Sequence, residues 1–207
     1  MQAMLRERGV GMMCQPGNYG PDTAAEWQPW AADNGCFAST WSASRWLDYL
    51  DRYAGTPGCV FAVVPDVVAD ADATRALWPQ WVGAVTSRGF RPAYVLQDGE
   101  DGSGVPWSDE PAVFVGGSTG YKLGAARAVV AMAKERGLHV HMGRVNSLRR
   151  LRTAVDFGCD TADGTYLAFA PDVNVPRLCR MLDALGAGTQ LSFALLSSTS
   201  SPPGGEG

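Results

Sequence analysis

The chain holds only two histidines, His139 and His141, and its five cysteines, Cys14, Cys36, Cys59, Cys159 and Cys179, are widely spaced with no C-x-x-C pair. An odd set so scattered excludes a disulfide framework and a zinc knuckle as organising devices. Both histidines share one short segment with the acids distant in sequence, so no metal is expected and a packed or substrate-lining role is favoured. No apolar run approaches the roughly 20 residues of a membrane span. Arg6, Glu7 and Arg8 lie where a signal peptide would carry its apolar core, so a cytoplasmic location without membrane contact is expected. Charge is sparse at 18%, with a formal net charge of −4, so the overall balance does not point to a nucleic-acid partner. No G-x-G-x-x-G follows the first strand pattern, which weakens a dinucleotide-binding reading, and no repeat of fixed period is present.

What is present is apolar and alternating. With 46% hydrophobic residues in a chain of 207, one sizeable core is expected and two domains are not. The expected domain spans residues 1–190, and the serine-, proline- and glycine-rich tail 197–207 is expected to be disordered. Short β-rich runs (10–13, 35–38, 60–64, 93–96, 112–115, 138–141 and 166–169) alternate with segments of helical spacing (41–53, 71–87, 122–136, 147–157 and 175–185). That order predicts a parallel α/β protein, most simply a compact or incomplete (β/α) TIM-type barrel, with a doubly wound open sheet as runner-up. Typical barrels run to about 250 residues. The long connection from Gln97 to Pro111, rich in glycine and acids, is of the length usually reserved for a functional or mobile loop.

Polar residues recur at the strand ends: Asp33 and Asn34, then Asp66, Gln97, the pair Gly116 and Gly117, and finally Asp160 and Asp163. In a barrel they would converge on one rim, where carboxylates offer a general base, a nucleophile and acceptors for a ligand rich in N–H groups. Each segment also has a plainer meaning. Asp33-Asn34-Gly35 reads equally as a turn, Asp70 or Asp72 as a helix cap, and the glycine pair as an ordinary strand-to-helix turn. Cys36 and Cys159 read as small apolar fillers. Four of the seven tryptophans, Trp27, Trp30, Trp41 and Trp46, crowd near the N-terminus, mostly for packing, although one could stack on a base. Between Ser118 and Arg152 eight basic residues face a single acid, Glu135, so one side could be basic while the total stays negative.

Taken in order, 30–37, Val64-Pro65-Asp66, Val95-Leu96-Gln97, Val115-Gly116-Gly117, His141-Met142-Gly143 and the segment from Gly158 to Asp163 resemble the tRNA-guanine transglycosylase superfamily. The first is similar to its D-S-G-G-F segment, the glycine pair to its base-binding loop, and the last to its G-x-D-x-x-D segment. The resemblance covers roughly residues 10–170. It implies Asp163 as nucleophile, with Asp160 the competing choice, and Asp33 as general acid/base. It also implies that Asp66 and Gln97 bind the base edge, that the backbone at Gly116 and Gly117 meets its carbonyl, and that His141 and Gly143 line the substrate. The implied chemistry exchanges guanine in a nucleic acid for a free 7-deazaguanine base through a covalent glycosyl intermediate, without a cofactor. Members acting on tRNA carry a zinc-binding Cys/His cluster after the nucleophile, and nothing comparable follows Asp163 here. The chain is therefore most similar to the short, phage-encoded DNA-modifying branch, with DNA preferred over tRNA as polymer and the host cytoplasm as location. Arg144, Arg149, Arg150 and Arg152 would hold backbone phosphates, their plainer meaning being a solvated helix face. The loop 98–111 or an N-terminal tryptophan would help hold a flipped nucleotide, and a second copy of the chain or an accessory protein could add contacts.

Two rival readings stand beside this one. A metal-assisted hydrolase or lyase would use Asp66, His141 and Asp160 or Asp163. A non-catalytic barrel that binds a nucleobase or a partner is suggested by Asn34 and Cys36, where the family has Ser and Gly.

Overall fold

A computed structural model describes residues 7–17, 20, 29–37, 41–165 and 170–185, and the backbone of Ser192–Leu195. Eight strands, β1 (Gly11–Cys14), β2 (Trp30–Ala32), β3 (Cys59–Val63), β4 (Pro92–Leu96), β5 (Ala112–Val115), β6 (Val140–Met142), β7 (Thr161–Gly164) and β8 (Ser192–Leu195), pair in sequence order. All neighbours are parallel, and β8 pairs with both β7 and β1, which closes the sheet. The architecture is the expected α/β barrel in its compact form, not the doubly wound sheet.

The helices are α1 (Ala43–Tyr53), α2 (Ala71–Thr86), α3 (Thr119–Leu123), α4 (Ala126–Glu135), α5 (Leu148–Phe157) and α6 (Pro171–Ala184). Between β4 and β5 only a 3₁₀ turn, Trp107–Asp109, stands in for a helix. Local chemistry sets several boundaries. The Asp70 side chain accepts the Ala73 N–H at the start of α2, the capping role expected of it. Gly158, at φ +83°, ends α5 in the left-handed conformation that glycine adopts freely. The helix expected over 122–136 is two pieces, because α3 starts at a Ser118 cap and stops at Gly124.

Alternation sorts the strand residues into two packed layers. Met13, Ala31, Phe61, Val63, Ala93, Val95 and Ala112 form the barrel interior, with Phe114 against them. Val10, Cys14, Trp30, Ala62, Val64, Tyr94, Leu96 and Val113 point outward to a second core shared with Trp46, Leu50, Trp78, Val129 and Leu151 of the helices. Removing such large side chains from water contributes roughly 1.5–3 kcal/mol each. Small Ala31, Ala93 and Ala112 leave the interior volume for the Phe61 and Phe114 rings, which meet edge to face at 6.2 Å.

The observed strands depart from the expected set at β2, β7 and β8. The second strand lies at Trp30–Ala32 instead of 35–38, because Asp33 to Cys36 form a turn closed by their own side chains. The seventh is Thr161–Gly164, entered directly from the Gly158 turn, and the segment 166–169 where it was expected lies outside the described residues. The eighth strand, flanked by serines, was not anticipated. The tail 197–207 also lies outside the described residues.

Candidate active site

The C-terminal ends of β2 to β7 place Asp33, Asp66, Gln97, Gly116, Gly143 and Asp163 on one rim, the end where barrels of this type keep their chemistry. Asp163 faces inward from β7 and is 2% exposed. Its Oδ1 accepts the Arg144 backbone N–H at 2.6 Å, and its Oδ2 lies 3.2 Å from His141 Nε2. The Val145 N–H bonds the Asp163 carbonyl at 2.6 Å, so the chain after β6 folds back onto β7. That fold-back needs a left-handed residue, and Arg144 supplies it at φ +59°. His141 itself is clamped between the rings of Phe114 and Phe61, at 4.7 and 5.2 Å.

Asp33 follows β2 and accepts the Gly35 N–H at 3.1 Å. Burial pushes its carboxyl up to about 7; Asp163 and Asp66 add to the rise, while the Gly35 bond and Arg144 oppose it. Asp66 follows β3, where Asn34 Nδ2 donates to its Oδ1 at 2.9 Å and Gln97 Nε2 to its Oδ2 at 2.7 Å. Its carboxyl is raised by burial, the two side-chain bonds and Arg144 only partly offsetting this. Gln97 is spoken for at both ends, since its Oε1 accepts the Ala69 N–H at 2.8 Å. Gln97 is therefore the strut that orients Asp66, and Asn34, which also donates to the Val64 carbonyl at 3.0 Å, is a second.

The basic residues do not share one face. The Arg144 guanidinium sits 3.3 Å from the centroid of the Phe37 ring and faces the electrostatic pull of Asp163, Asp33 and Asp66, although burial lowers its pKa. Lys122 is buried, with Nζ donating to the Gly143 carbonyl at 3.2 Å; burial, reinforced by Arg144, pulls it down to about 8. Arg150 is tied to the Arg144 carbonyl and to Thr119 Oγ1. Arg149 and Arg152 are exposed on α5. Lys134 serves the opposite end of the barrel, where its Nζ meets both oxygens of Asp160 at 2.7 Å.

No protein-family model matches the chain, and no curated protein matches it.

Asp160 is not part of the rim. It precedes β7, accepts the Val140 N–H at 2.8 Å, and its ion pair with Lys134 fixes it at the N-terminal end. Asp66, His141 and Asp160 thus do not converge as a metal-assisted mechanism would need. Among the described residues no group of three or more His, Cys, Asp or Glu is placed to hold a metal ion. A metal site built on Asp66, His141 and Asp163 alone is not formed either.

The glycine pair is needed for packing. A Cβ on Gly116 would lie 2.7 Å from Val95 Cγ1 and 3.1 Å from the Leu96 carbonyl, and one on Gly117, at φ +73°, 2.6 Å from Asp98 Oδ2. Asp98 in turn accepts the Ser118 N–H at 2.7 Å, which clasps the β4 and β5 ends together. At Gly143 a Cβ would stand 2.7 Å from the Phe114 ring.

The connection 97–111 is pinned rather than loose. Glu100 is buried and accepts from the Gly102 N–H at 2.9 Å, the Tyr94 hydroxyl at 3.1 Å and Arg75 at 3.4 Å. Trp78 Nε1 holds Asp109 at 2.7 Å. Trp30 and Trp46 are buried in the outer core, Trp41 is partly exposed against Trp81, and Trp27 lies outside the described residues. Burial pushes the Cys36 and Cys159 thiols up to about 12, in keeping with filler roles.

Residues that the sequence reading passed over are Thr161, which bridges the two histidines at 2.9 and 2.7 Å, and Lys122 as a buried amine. The T-x-D alternation in β7 was the available signal for the first. Apolar neighbours Tyr121 and Leu123 around the lysine were the only signal for the second.

Proposed function

We propose that the chain is a nucleic-acid guanine transglycosylase, with DNA as the preferred polymer. The observation that carries this is a pair of rim carboxyls in unlike settings. Asp163 is oriented by a backbone N–H and an imidazole, whereas Asp33 is pushed up to about 7 and can both give and take a proton near neutral pH. Environments that differ in this way separate a nucleophile from an acid/base partner.

Asp163 attacks the anomeric carbon, the carbon–nitrogen bond to guanine breaks, and the departing base takes the Asp33 proton. The incoming 7-deazaguanine returns a proton to Asp33, and its nitrogen displaces the Asp163 carboxylate from the sugar. Asp66, with Gln97 and Asn34 bracing it, accepts N–H groups of the base. Arg144 lies beside the acids, where it suits an anionic sugar-phosphate substrate, and exposed Arg149 and Arg152 suit the flanking phosphates. The preference for DNA is carried over from the resemblance of the ordered motifs to the short DNA-modifying branch.

The test incubates the protein with DNA or tRNA and a radiolabelled 7-deazaguanine. Label entering DNA supports the reading, and label in tRNA alone moves it to the other polymer. Label in neither, with an intact fold, overturns it. Asp163→Asn must abolish both label incorporation and the covalent adduct with guanine-containing polymer.

A further inference from the structure

Inside the barrel, four side chains from β6, β7 and the residue just before β6 form one hydrogen-bonded line. His141 and Thr161 are paired in register across β6 and β7, and their side chains share the interior face with His139 and Asp163, two residues before and after. His139 Nε2 lies 2.9 Å from Thr161 Oγ1, Thr161 Oγ1 lies 2.7 Å from His141 Nδ1, and His141 Nε2 lies 3.2 Å from Asp163 Oδ2.

We propose that His139 and Thr161 are positioning residues that lock His141 in the tautomer with its proton on Nε2, aimed at Asp163. Counting donors fixes the direction. A carboxylate only accepts, so His141 must donate from Nε2, and in a neutral ring Nδ1 then accepts. The Thr161 hydroxyl is the donor that Nδ1 finds. Its own oxygen is left to accept from His139 Nε2–H, so His139, Thr161 and His141 each donate once and Asp163 ends the line as acceptor. Burial pulls His139 down to about 4, so it joins the line as a neutral ring. The Phe61 and Phe114 rings pack against the His141 ring at 5.2 and 4.7 Å and restrict its movement. Such outer partners set the tautomer and aim of an inner imidazole.

This inference rests on Asp163 being the reacting carboxylate only for its catalytic consequence; the tautomer itself is read in the resting protein. Because the chain has two histidines, long-range proton–nitrogen spectra contain two imidazole systems, and His139→Gln assigns them. The expected result for His141 is one protonated nitrogen, Nε2, and one unprotonated, Nδ1. In Thr161→Val that assignment is lost or averaged, and in Thr161→Ser it returns. In the exchange assay Thr161→Val lowers kcat about tenfold with KM little changed, and Thr161→Ser recovers most of it. Two results overturn the proposal: a His141 ring protonated at both nitrogens or at Nδ1 alone, or a Thr161→Val spectrum identical to the parent. If the tautomer behaves as expected while no exchange occurs on any polymer, the functional reading fails and the relay stands.

Discussion

Replacing Asp33 with asparagine should stabilise the protein at neutral and alkaline pH while removing the carboxyl proposed as acid/base. The folded carboxyl sits at about 7 against an ordinary 3.8. Between those values the unfolded chain loses a proton that the folded one keeps, so the folded state binds more protons and stability falls as pH rises. The penalty is absent below 3.8, grows towards 7 and is complete above it. At about 1.4 kcal/mol per tenfold change in proton concentration, the gap sets a ceiling of about 4 kcal/mol. Asp33 is only partly shielded from solvent, which brings the expected gain to about 2 kcal/mol. Asparagine keeps an oxygen to accept the Gly35 N–H, so the turn itself is preserved. For a chain of this size the gain corresponds to a melting temperature higher by about 4–8 °C at pH 8. Urea titrations followed by circular dichroism at pH 4, 6 and 8 measure it. If the variant is no more stable than the parent at pH 8, or if its advantage is as large at pH 4 as at pH 8, the burial and charge reasoning at the rim is refuted.

Gln97→Leu strands the Ala69 N–H and one oxygen of Asp66, and should cost about 2–3 kcal/mol of stability; denaturant titration checks this, and a loss below 0.5 kcal/mol, on the order of a surface change, counts against the strut. Asp160→Asn should leave base exchange intact and lower stability by no more than about 1 kcal/mol, the reverse of Asp163→Asn, and comparing the two variants in the exchange assay separates the two acids. Gly116→Ala forces a methyl against Val95 and the Leu96 carbonyl and should destabilise by about 1–3 kcal/mol, measured by thermal unfolding.

The α/β class and most helices were legible because apolar spacing reports burial directly, as for Ala112–Val115, which the sequence placed to the residue. Boundaries governed by side-chain-to-backbone bonds were harder. The segment 35–38 looks apolar enough to pair, yet the Asp33 and Asn34 side chains accept the Gly35 and Cys36 N–H groups locally and fold its start into a turn. Asp160 and Asp163 could not be separated from spacing. Their three-residue offset carries the chain from the N-terminal end of β7 to near its C-terminal end, and which carboxyl finds a lysine depends on α4, which is distant in sequence. Formal charge misled in a similar way for Lys122 and Lys134: a lysine's sign is visible in sequence, but its burial is decided by what packs above it.

Arg144 sits where a glycine would rest more easily. A left-handed backbone costs an ordinary residue about 1–2 kcal/mol, and at φ +59° the arginine bears it so that its amide can reach Asp163 while its guanidinium lies on Phe37. Conformational ease and electrostatic demand thus pull this one position in opposite directions. A selection for thermal stability alone would drift towards glycine here, keeping the amide and discarding the cation, and would yield a sturdier barrel with an unbalanced cluster of acids at its mouth.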